Sequence, residues 1–318
     1  MVSGKDLTDV KVKEVTWYWK PFIPQAQVTL VQGDTNVGKT NILTYIMALL
    51  SNGIYPPTMY NGRLEPMKKG KKVKIYYVTR ENGIDDTYTP FFDLFGGDRS
   101  MVKYQDEDDA HFELTKEDIR TCVKEYGLKI IVVDPWQAFL EEGINASDNF
   151  RVRKMLDDMI SVAKETGTAI ILAGNYTKQS NGDILSGLGA AEMFNTLRAI
   201  LTVKYHENPA IRTVEASKMS FMGKETAKVG VRQIDDYKLE FVDLAAEHER
   251  LEPQSMTEKA KRFLMEILAD GPVDSHEVNR LADEAGISMP TINRAKKEIG
   301  VISRKQSDRS SLWMISEQ

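Results

Sequence analysis

Apolar runs alternate with amphipathic segments through the first 200 residues of the chain. Runs rich in β-branched residues predict strands that are buried on both faces, and they lie at 28–31, 73–79, 128–134 and 168–173. Apolar residues at helical spacing predict helices at 41–50, 84–95, 113–126 and 149–166. This alternation of strands and helices predicts an α/β fold with a parallel sheet.

Three further apolar runs follow in quick succession, near 199–205, 211–216 and 228–242. Tight turns join them, and such turns connect antiparallel strands. We therefore expect an antiparallel extension of the parallel sheet.

The last part of the chain has a different pattern. A charged segment with Pro253 predicts a linker at 246–256, after a lead-in at 1–14 and a large domain at 15–245. The remaining domain, 257–318, is predicted to contain helices at 257–269, 275–284 and 288–299 and strands at 301–304 and 312–315. Helix, turn, helix and a hairpin are typical of a winged helix-turn-helix domain.

The clearest chemical motif lies between the first predicted strand and the first predicted helix. Its glycines allow backbone N–H groups to converge on phosphate oxygens, and the helix N-terminus favours the same anions. Lys39 is placed to reach the β- and γ-phosphates, and the Thr40 hydroxyl to bind Mg²⁺. The residues predicted to bind ATP are Gly33, Asp34, Thr35, Asn36, Val37, Gly38, Lys39, Thr40 and Asn41.

Two acidic residues follow other predicted strands. Asp134 ends an apolar strand, which would place its carboxylate beside the phosphate loop, where it can hold Mg²⁺ directly or through water. Glu81 comes just after the strand that ends at Thr79. Because parallel strands open toward a ligand at their carboxyl ends, Glu81 is a candidate general base. A strand-end acid in a surface turn is the alternative.

Composition limits the remaining possibilities. The chain has 318 residues, 42% of them hydrophobic, and a net charge of −5 with a pI near 5.6, so any contact with nucleic acid must be local. The single Cys122 cannot form an intrachain disulfide, and no apolar run has the length of a membrane span. We therefore expect a cytoplasmic protein without a membrane partner.

Positive charge is concentrated near the C-terminus. Residues 291–309 contain six basic and two acidic side chains. This local excess suits contacts with DNA phosphates, and a protein-docking winged helix is the alternative. The candidate DNA-binding residues are Arg294, Lys296, Lys297, Arg304 and Lys305.

Two segments outside these motifs allow two interpretations each. The aromatic and proline-rich stretch Trp17–Pro24 could flank the adenine base or cover the edge of the sheet. The four lysines of Lys68–Lys72 are typical of a solvated turn, and phosphate-backbone contact is the other interpretation.

At this point residues 15–235 resemble the RecA-like ATPases of the hexameric plasmid RepA replicative helicase type, often found on phages and mobile elements. The resemblance is carried by 33–40, Glu81, Asp134-Pro135, 174–178, Arg198 and 216–218. It implies ATP and Mg²⁺ as cofactors, DNA as a partner and assembly into a hexameric ring.

The same resemblance implies roles for particular residues. Glu81 would polarise the attacking water, and Arg198 would enter a neighbouring subunit's site and neutralise charge on the γ-phosphate. Lys218 would be a second cation acting in trans. Asn175 stands where the family usually has a sensing histidine, so it can hydrogen-bond the γ-phosphate but carries no charge. The loop 186–189, Ser-Gly-Leu-Gly, lacks the arginine that the family often has there.

Three functions are compatible with these features. The first is an ATP-driven DNA motor or helicase that serves replication of a mobile element. The second is a DNA-binding regulator or helicase loader in which ATP acts as a conformational switch. The third, a small-molecule kinase, has the phosphate loop in its favour, but neither an arginine-rich lid nor an acceptor site is visible in the sequence.

Overall fold

The computed structural model divides the chain into two compact units, Met1–Ala245 and Ala246–Gln318. The structure describes residues 6–60, 62–80, 83–105, 114–139, 149–175, 190–222, 227–235, 238–251, 256–269, 271–305 and 311–315.

The first unit is built from strands and helices that alternate along the chain. Its strands are β1 (Trp17–Trp19), β2 (Ile23–Pro24), β3 (Val28–Gly33), β4 (Ile54–Tyr55), β5 (Met59–Tyr60), β6 (Arg63–Leu64), β7 (Lys68–Lys69), β8 (Ile75–Thr79), β9 (Val102–Gln105), β10 (Ile130–Asp134), β11 (Ala169–Asn175), β12 (Ala199–Tyr205), β13 (Ile211–Met219), β14 (Lys228–Ile234) and β15 (Lys238–Val242). Its helices are α1 (Lys39–Ser51), α2 (Thr89–Leu94), α3 (Lys116–Tyr126), α4 (Asn149–Thr166) and α5 (Ala190–Thr196).

Among the described residues, nine strands form one mixed sheet in the order β15-β14-β13-β12-β3-β11-β10-β8-β9. Neighbours from β12 to β9 are parallel. The pairs β12–β13, β13–β14 and β14–β15 are antiparallel. The predicted mainly parallel sheet with an antiparallel extension is therefore confirmed.

The sheet is buried because apolar clusters cover both of its faces. Along β10, Ile130 and Val132 belong to the cluster that includes α1 and α2, whereas Ile131 and Val133 belong to the cluster that includes α3, α4 and α5. Successive side chains of a strand point to opposite faces, so a strand covered on both sides must be apolar throughout. This requirement explains the uninterrupted apolar run at 130–133.

Local signals set the ends of the helices. The Thr115 hydroxyl accepts a hydrogen bond from the Asp118 N–H at 3.2 Å and caps α3, while Gly127 ends that helix in the left-handed conformation. Gly167, with a φ of +74°, ends α4 as predicted. These caps orient both helices against the sheet.

Several predicted boundaries were wrong. The strand at 199–205 is not part of the antiparallel extension, because β12 pairs in parallel with β3. The single strand expected at 228–242 is two strands, β14 and β15, and Asp235 between them has a φ of +47°. The helix predicted at 84–95 begins with a π-helical segment, Ile84–Tyr88, before α2. Helix α6 (Leu244–Leu251) occupies part of the segment expected to be a linker.

The second unit contains helices α7 (Met256–Ile267), α8 (Ser275–Glu284) and α9 (Met289–Glu298) and strands β16 (Val273–Asp274), β17 (Val301–Lys305) and β18 (Ser311–Ile315). The strands form an antiparallel sheet in the order β16-β18-β17, in which β16 was not predicted. Leu264, Val278, Ile292 and Trp313 are buried in a core of its own.

None of the helices that the structure describes has the length and apolar character needed to cross a membrane.

Candidate nucleotide site

The phosphate loop connects β3 to α1 at the carboxyl edge of the parallel strands. Gly33 ends β3, and a Cβ atom added there would lie 2.4 Å from the Val203 carbonyl oxygen, so β12 and the loop can approach only a glycine. Gly38 precedes α1 with a φ of +91°, and Asn36 has a φ of +63°. These left-handed residues turn the chain back toward the helix N-terminus, where backbone N–H groups favour an anion.

Lys39 is held inside the loop. Its side chain is buried, and Nζ donates hydrogen bonds to the carbonyl oxygens of Gly33 at 3.2 Å and Asp34 at 2.8 Å and to Asn175 Oδ1 at 2.7 Å. Asn175 reaches it because β11 pairs with β3 in a register that sets Asn175 beside Gly33. The structure thus brings Lys39 and Asn175 together at one end of the sheet.

Thr40 and Asp134 form a second contact at the same edge. The Thr40 hydroxyl donates a hydrogen bond to Asp134 Oδ2 at 2.6 Å, and the Tyr77 hydroxyl lies 3.4 Å from the same oxygen. Asp134 is 5% exposed. A hydroxyl and a carboxylate are oxygen donors of the kind that Mg²⁺ prefers, so this pair fits the predicted metal site.

The pair does not amount to a complete protein metal cage. Within the described part of the chain, no group of three or more histidine, cysteine or acidic side chains could hold a metal ion. This agrees with Mg²⁺, which is commonly held by one or two protein ligands together with water and substrate phosphates.

Other predicted residues of this edge cannot be placed. Strand β8 ends at Thr79, in register with Asp134. Glu81, the candidate general base, lies outside the described residues, as do 176–178 and the loop 186–189. The role of Glu81 stays a prediction.

Arg198 and Lys218 lie at the opposite edge of the sheet. Arg198 precedes Ala199, which pairs with Thr29 near the start of β3, whereas Gly33 at the phosphate end pairs with Val203. Four residues of strand separate these positions by about 13 Å. The structure therefore does not bring Arg198 or Lys218 to the phosphate loop of the same chain.

Aromatic rings hold both cations where they are. The exposed Arg198 guanidinium lies 4.5 Å from the centroid of the Phe221 ring. Lys218 Nζ donates to the Phe194 carbonyl oxygen and lies 4.8 Å from that residue's ring centroid. Partial burial lowers the pKa of Lys218.

Two tyrosines at the phosphate edge were missed in the sequence. Tyr77 contacts Asp134, and the Tyr205 hydroxyl donates to the Asn36 carbonyl oxygen at 3.3 Å. Arg212 stacks on the Tyr205 ring, with its guanidinium 4.6 Å from the ring centroid. The parallel pairing of β12 with β3 places Tyr205 there, and that pairing was the signal that the sequence did not reveal.

The aromatic stretch before β3 is mostly core. Trp19 and Phe22 are 1% and 0% exposed, so neither can contact a base, and the sheet-covering interpretation holds for them. Trp17 is partly exposed.

The basic residues of the second unit differ in their environments. Arg294, Lys297, Arg304 and Lys305 are exposed. Lys296 instead lies 3.6 Å from the centroid of the Trp313 ring, and partial burial lowers its pKa.

Fold and site together define a P-loop ATPase whose mixed sheet fits a RecA-like core. A family model described as an AAA domain matches residues 5–181, more than half of the chain, and the chain belongs to that family. The solved structure of a helicase ATPase domain is similar, with a TM-score of 0.50 and 13% sequence identity over 68% of this chain and 84% of that one. At this identity the likeness concerns the fold. The search of curated proteins found no match.

Proposed function

We propose that the chain is an ATP-driven DNA motor of the RepA-type helicase class, which assembles as a hexameric ring and serves replication of a phage or mobile element. The observation that carries this proposal is the placement of Arg198 and Lys218 at the edge opposite the phosphate loop. A cation so placed can reach a γ-phosphate only in another subunit, as head-to-tail ring contacts allow.

Within one subunit, the phosphate edge would bind and orient ATP. Lys39 and the loop N–H groups would hold the phosphates, and Thr40 and Asp134 would hold Mg²⁺, which neutralises phosphate charge. Asn175 would hydrogen-bond the γ-phosphate from its position beside Lys39. Glu81 would take the proton of the attacking water.

The second unit would bind DNA as a winged helix. Helix α9 and the β17–β18 hairpin carry the exposed cations Arg294, Lys297, Arg304 and Lys305. Lys296 would contribute less, because its ammonium packs on Trp313. Exposed cations on one helix and hairpin suit phosphate contacts.

A subunit-mixing experiment tests the shared site. Lys39→Ala removes the loop cation and Arg198→Ala removes the trans cation, so each variant alone should lose ATPase activity, by about a thousand-fold for Arg198→Ala. A mixture should recover roughly one quarter of wild-type activity, because random assembly places an intact loop beside an intact arginine at about one site in four.

The matched control carries both defects on one chain. The double variant K39A/R198A mixed with Arg198→Ala contains no intact arginine and should stay inactive. Recovery in that control, or normal hydrolysis by Arg198→Ala alone at low protein concentration, would refute the shared site.

A second candidate is a DNA-binding regulator or helicase loader that ATP switches without strand separation. The neutral Asn175 favours it, because an amide bound to Lys39 can sense a phosphate but cannot supply charge to the reaction. Unwinding of a forked duplex separates the two functions, with Lys39→Ala as the control. A motor unwinds only with an intact loop, and a switch does not unwind at all.

A further inference from the structure

A groove of about 280 Å³ lies on the first unit, away from the phosphate loop. It is lined by the β1–β2 hairpin and the β4–β7 pair, and its lining includes Trp17, Lys20, Tyr55, Lys68 and Lys69. Neither the nucleotide site nor the cations of the second unit involve these residues.

The groove is strongly basic. Lys20, Lys68 and Lys69 are exposed at its rim, and Lys71 follows directly in the chain. Lys68 pairs with Glu65 at 3.1 Å, but Lys20, Lys69 and Lys71 have no salt-bridge partner among the residues that the structure describes. In a chain with a net charge of −5, such a local excess is a site for a polyanion.

The aromatic residues of the groove are held in place. The Tyr55 ring packs on Gly70, where an added Cβ would lie 2.6 Å from Tyr55 Cε2, and the Tyr55 hydroxyl donates to the Lys71 carbonyl oxygen at 3.3 Å. The Trp17 ring meets Phe221 edge to face, with 6.3 Å between centroids. Both rings are partly exposed, so they offer ordered stacking surfaces beside the lysines.

We propose that this groove binds single-stranded DNA. Lysines that contact a backbone together with aromatic rings that stack on bases are the combination that recognises an unpaired strand. A duplex offers no free base face for Trp17 or Tyr55, and an acidic protein surface would use the lysines alone. The inference deepens the proposed function, since it supplies a strand contact separate from the second unit.

The tryptophans provide a direct readout in the full-length protein. All four lie within the described residues, and Trp19, Trp136 and Trp313 are 1%, 2% and 5% exposed, which leaves Trp17 as the partly exposed one. An oligothymidylate of about 15 nucleotides should therefore quench tryptophan fluorescence through Trp17. Trp17→Phe should remove the quenching and weaken binding, followed by anisotropy of a labelled oligonucleotide, at least about five-fold.

Charge reversal tests the lysines. K20E/K69E should weaken oligothymidylate binding at least ten-fold and reduce the salt dependence by about one to two phosphate contacts. K154E/K164E on α4 makes the same charge change at two exposed lysines and should bind like wild type. Thermal unfolding of both variants shows whether they remain folded.

The probes distinguish this groove from other surfaces. R304E/K305E should weaken binding of a duplex and leave Trp17 quenching by oligothymidylate unchanged. Equal oligothymidylate affinity of K20E/K69E and wild type would overturn the inference, and so would competition by polyglutamate at the same charge concentration. Failure here leaves the subunit-mixing result intact, whereas failure of subunit mixing would not alter Trp17 quenching.

Discussion

Replacing Gly33 by alanine adds one methyl group at the point where β3, β12 and the phosphate loop meet. The new Cβ would lie 2.4 Å from the Val203 carbonyl oxygen and 3.1 Å from Val37 Cγ1. An ordinary contact begins near 3.4 Å, so the oxygen or the strand end must move by about 1.0 Å. The obstacle is backbone, which cannot swing aside as a flexible side chain can.

The cost can be estimated from this overlap. Adding a methyl group to a packed region destabilises a protein by about 1–3 kcal/mol, and in a domain of this size that lowers the unfolding midpoint by about 2–12 °C. The displacement also moves the Gly33 carbonyl oxygen, which accepts a hydrogen bond from Lys39. We therefore expect nucleotide affinity to fall at least about ten-fold, since one lost hydrogen bond to a charged group corresponds to about 1.5–3 kcal/mol.

Thermal unfolding by circular dichroism and titration with a fluorescent ATP analogue measure the two effects. Gly167→Ala is the matched control, because its site has a φ of +74° and no atom within 4 Å of an added Cβ. It should cost about 1 kcal/mol for the left-handed backbone and leave nucleotide binding unchanged. Wild-type nucleotide affinity in Gly33→Ala would refute the steric reasoning.

Three further changes test other parts of the molecule. Tyr77→Phe removes a hydroxyl next to Asp134 Oδ2 and should raise the Mg²⁺ concentration needed for half-maximal ATPase activity several-fold, measured by Mg²⁺ titration. Leu264→Ala empties a fully buried position and should destabilise the second unit by about 2–5 kcal/mol, measured by urea unfolding. Lys72→Met should raise the pKa of Asp98, which hydrogen bonds from Lys72 and then Ser100 hold at about 2, as NMR titration of the carboxyl would show.

Each of these changes has a matched control. Tyr76→Phe removes the neighbouring hydroxyl, which contacts Gln105, and should not alter the Mg²⁺ requirement. Leu281→Ala is only partly buried and should cost less than the core variant. Lys74→Met leaves Asp98 with its partner. An unchanged Mg²⁺ requirement, equal urea midpoints for the two leucine variants, or an unshifted Asp98 pKa would contradict the respective contact.

Much of the fold was predictable because buried parallel strands need uninterrupted apolar runs and glycines end the helices between them. The parallel pairing of β12 was not, since a strand's own sequence does not state which neighbour it joins. Strands of two residues, such as β4 and β7, are too short to show any periodicity. The break at Asp235 was missed because apolar residues continue on both sides of it.

At the candidate site, the loop motif and the strand-end Asp134 were enough to predict which residues share one edge. Thr40 and Asp134 do meet there, although their roles in hydrolysis stay predictions. Tyr77 and Tyr205 could not be found in the same way, because their contacts depend on the register between strands that are distant in sequence. Motifs therefore identified the phosphate ligands better than the residues that support them.

Strand β12 connects the two edges of the sheet directly. Arg198 precedes its first residue, and its last residue, Tyr205, touches the loop at Asn36. Hydrogen bonds to β3 on one side and β13 on the other make this strand a strut about 20 Å long that can slide or tilt but hardly stretch. Any movement of the loop when a phosphate leaves would thus reach the far end of the subunit as a displacement of similar size, which gives neighbouring subunits a mechanical means of firing in sequence.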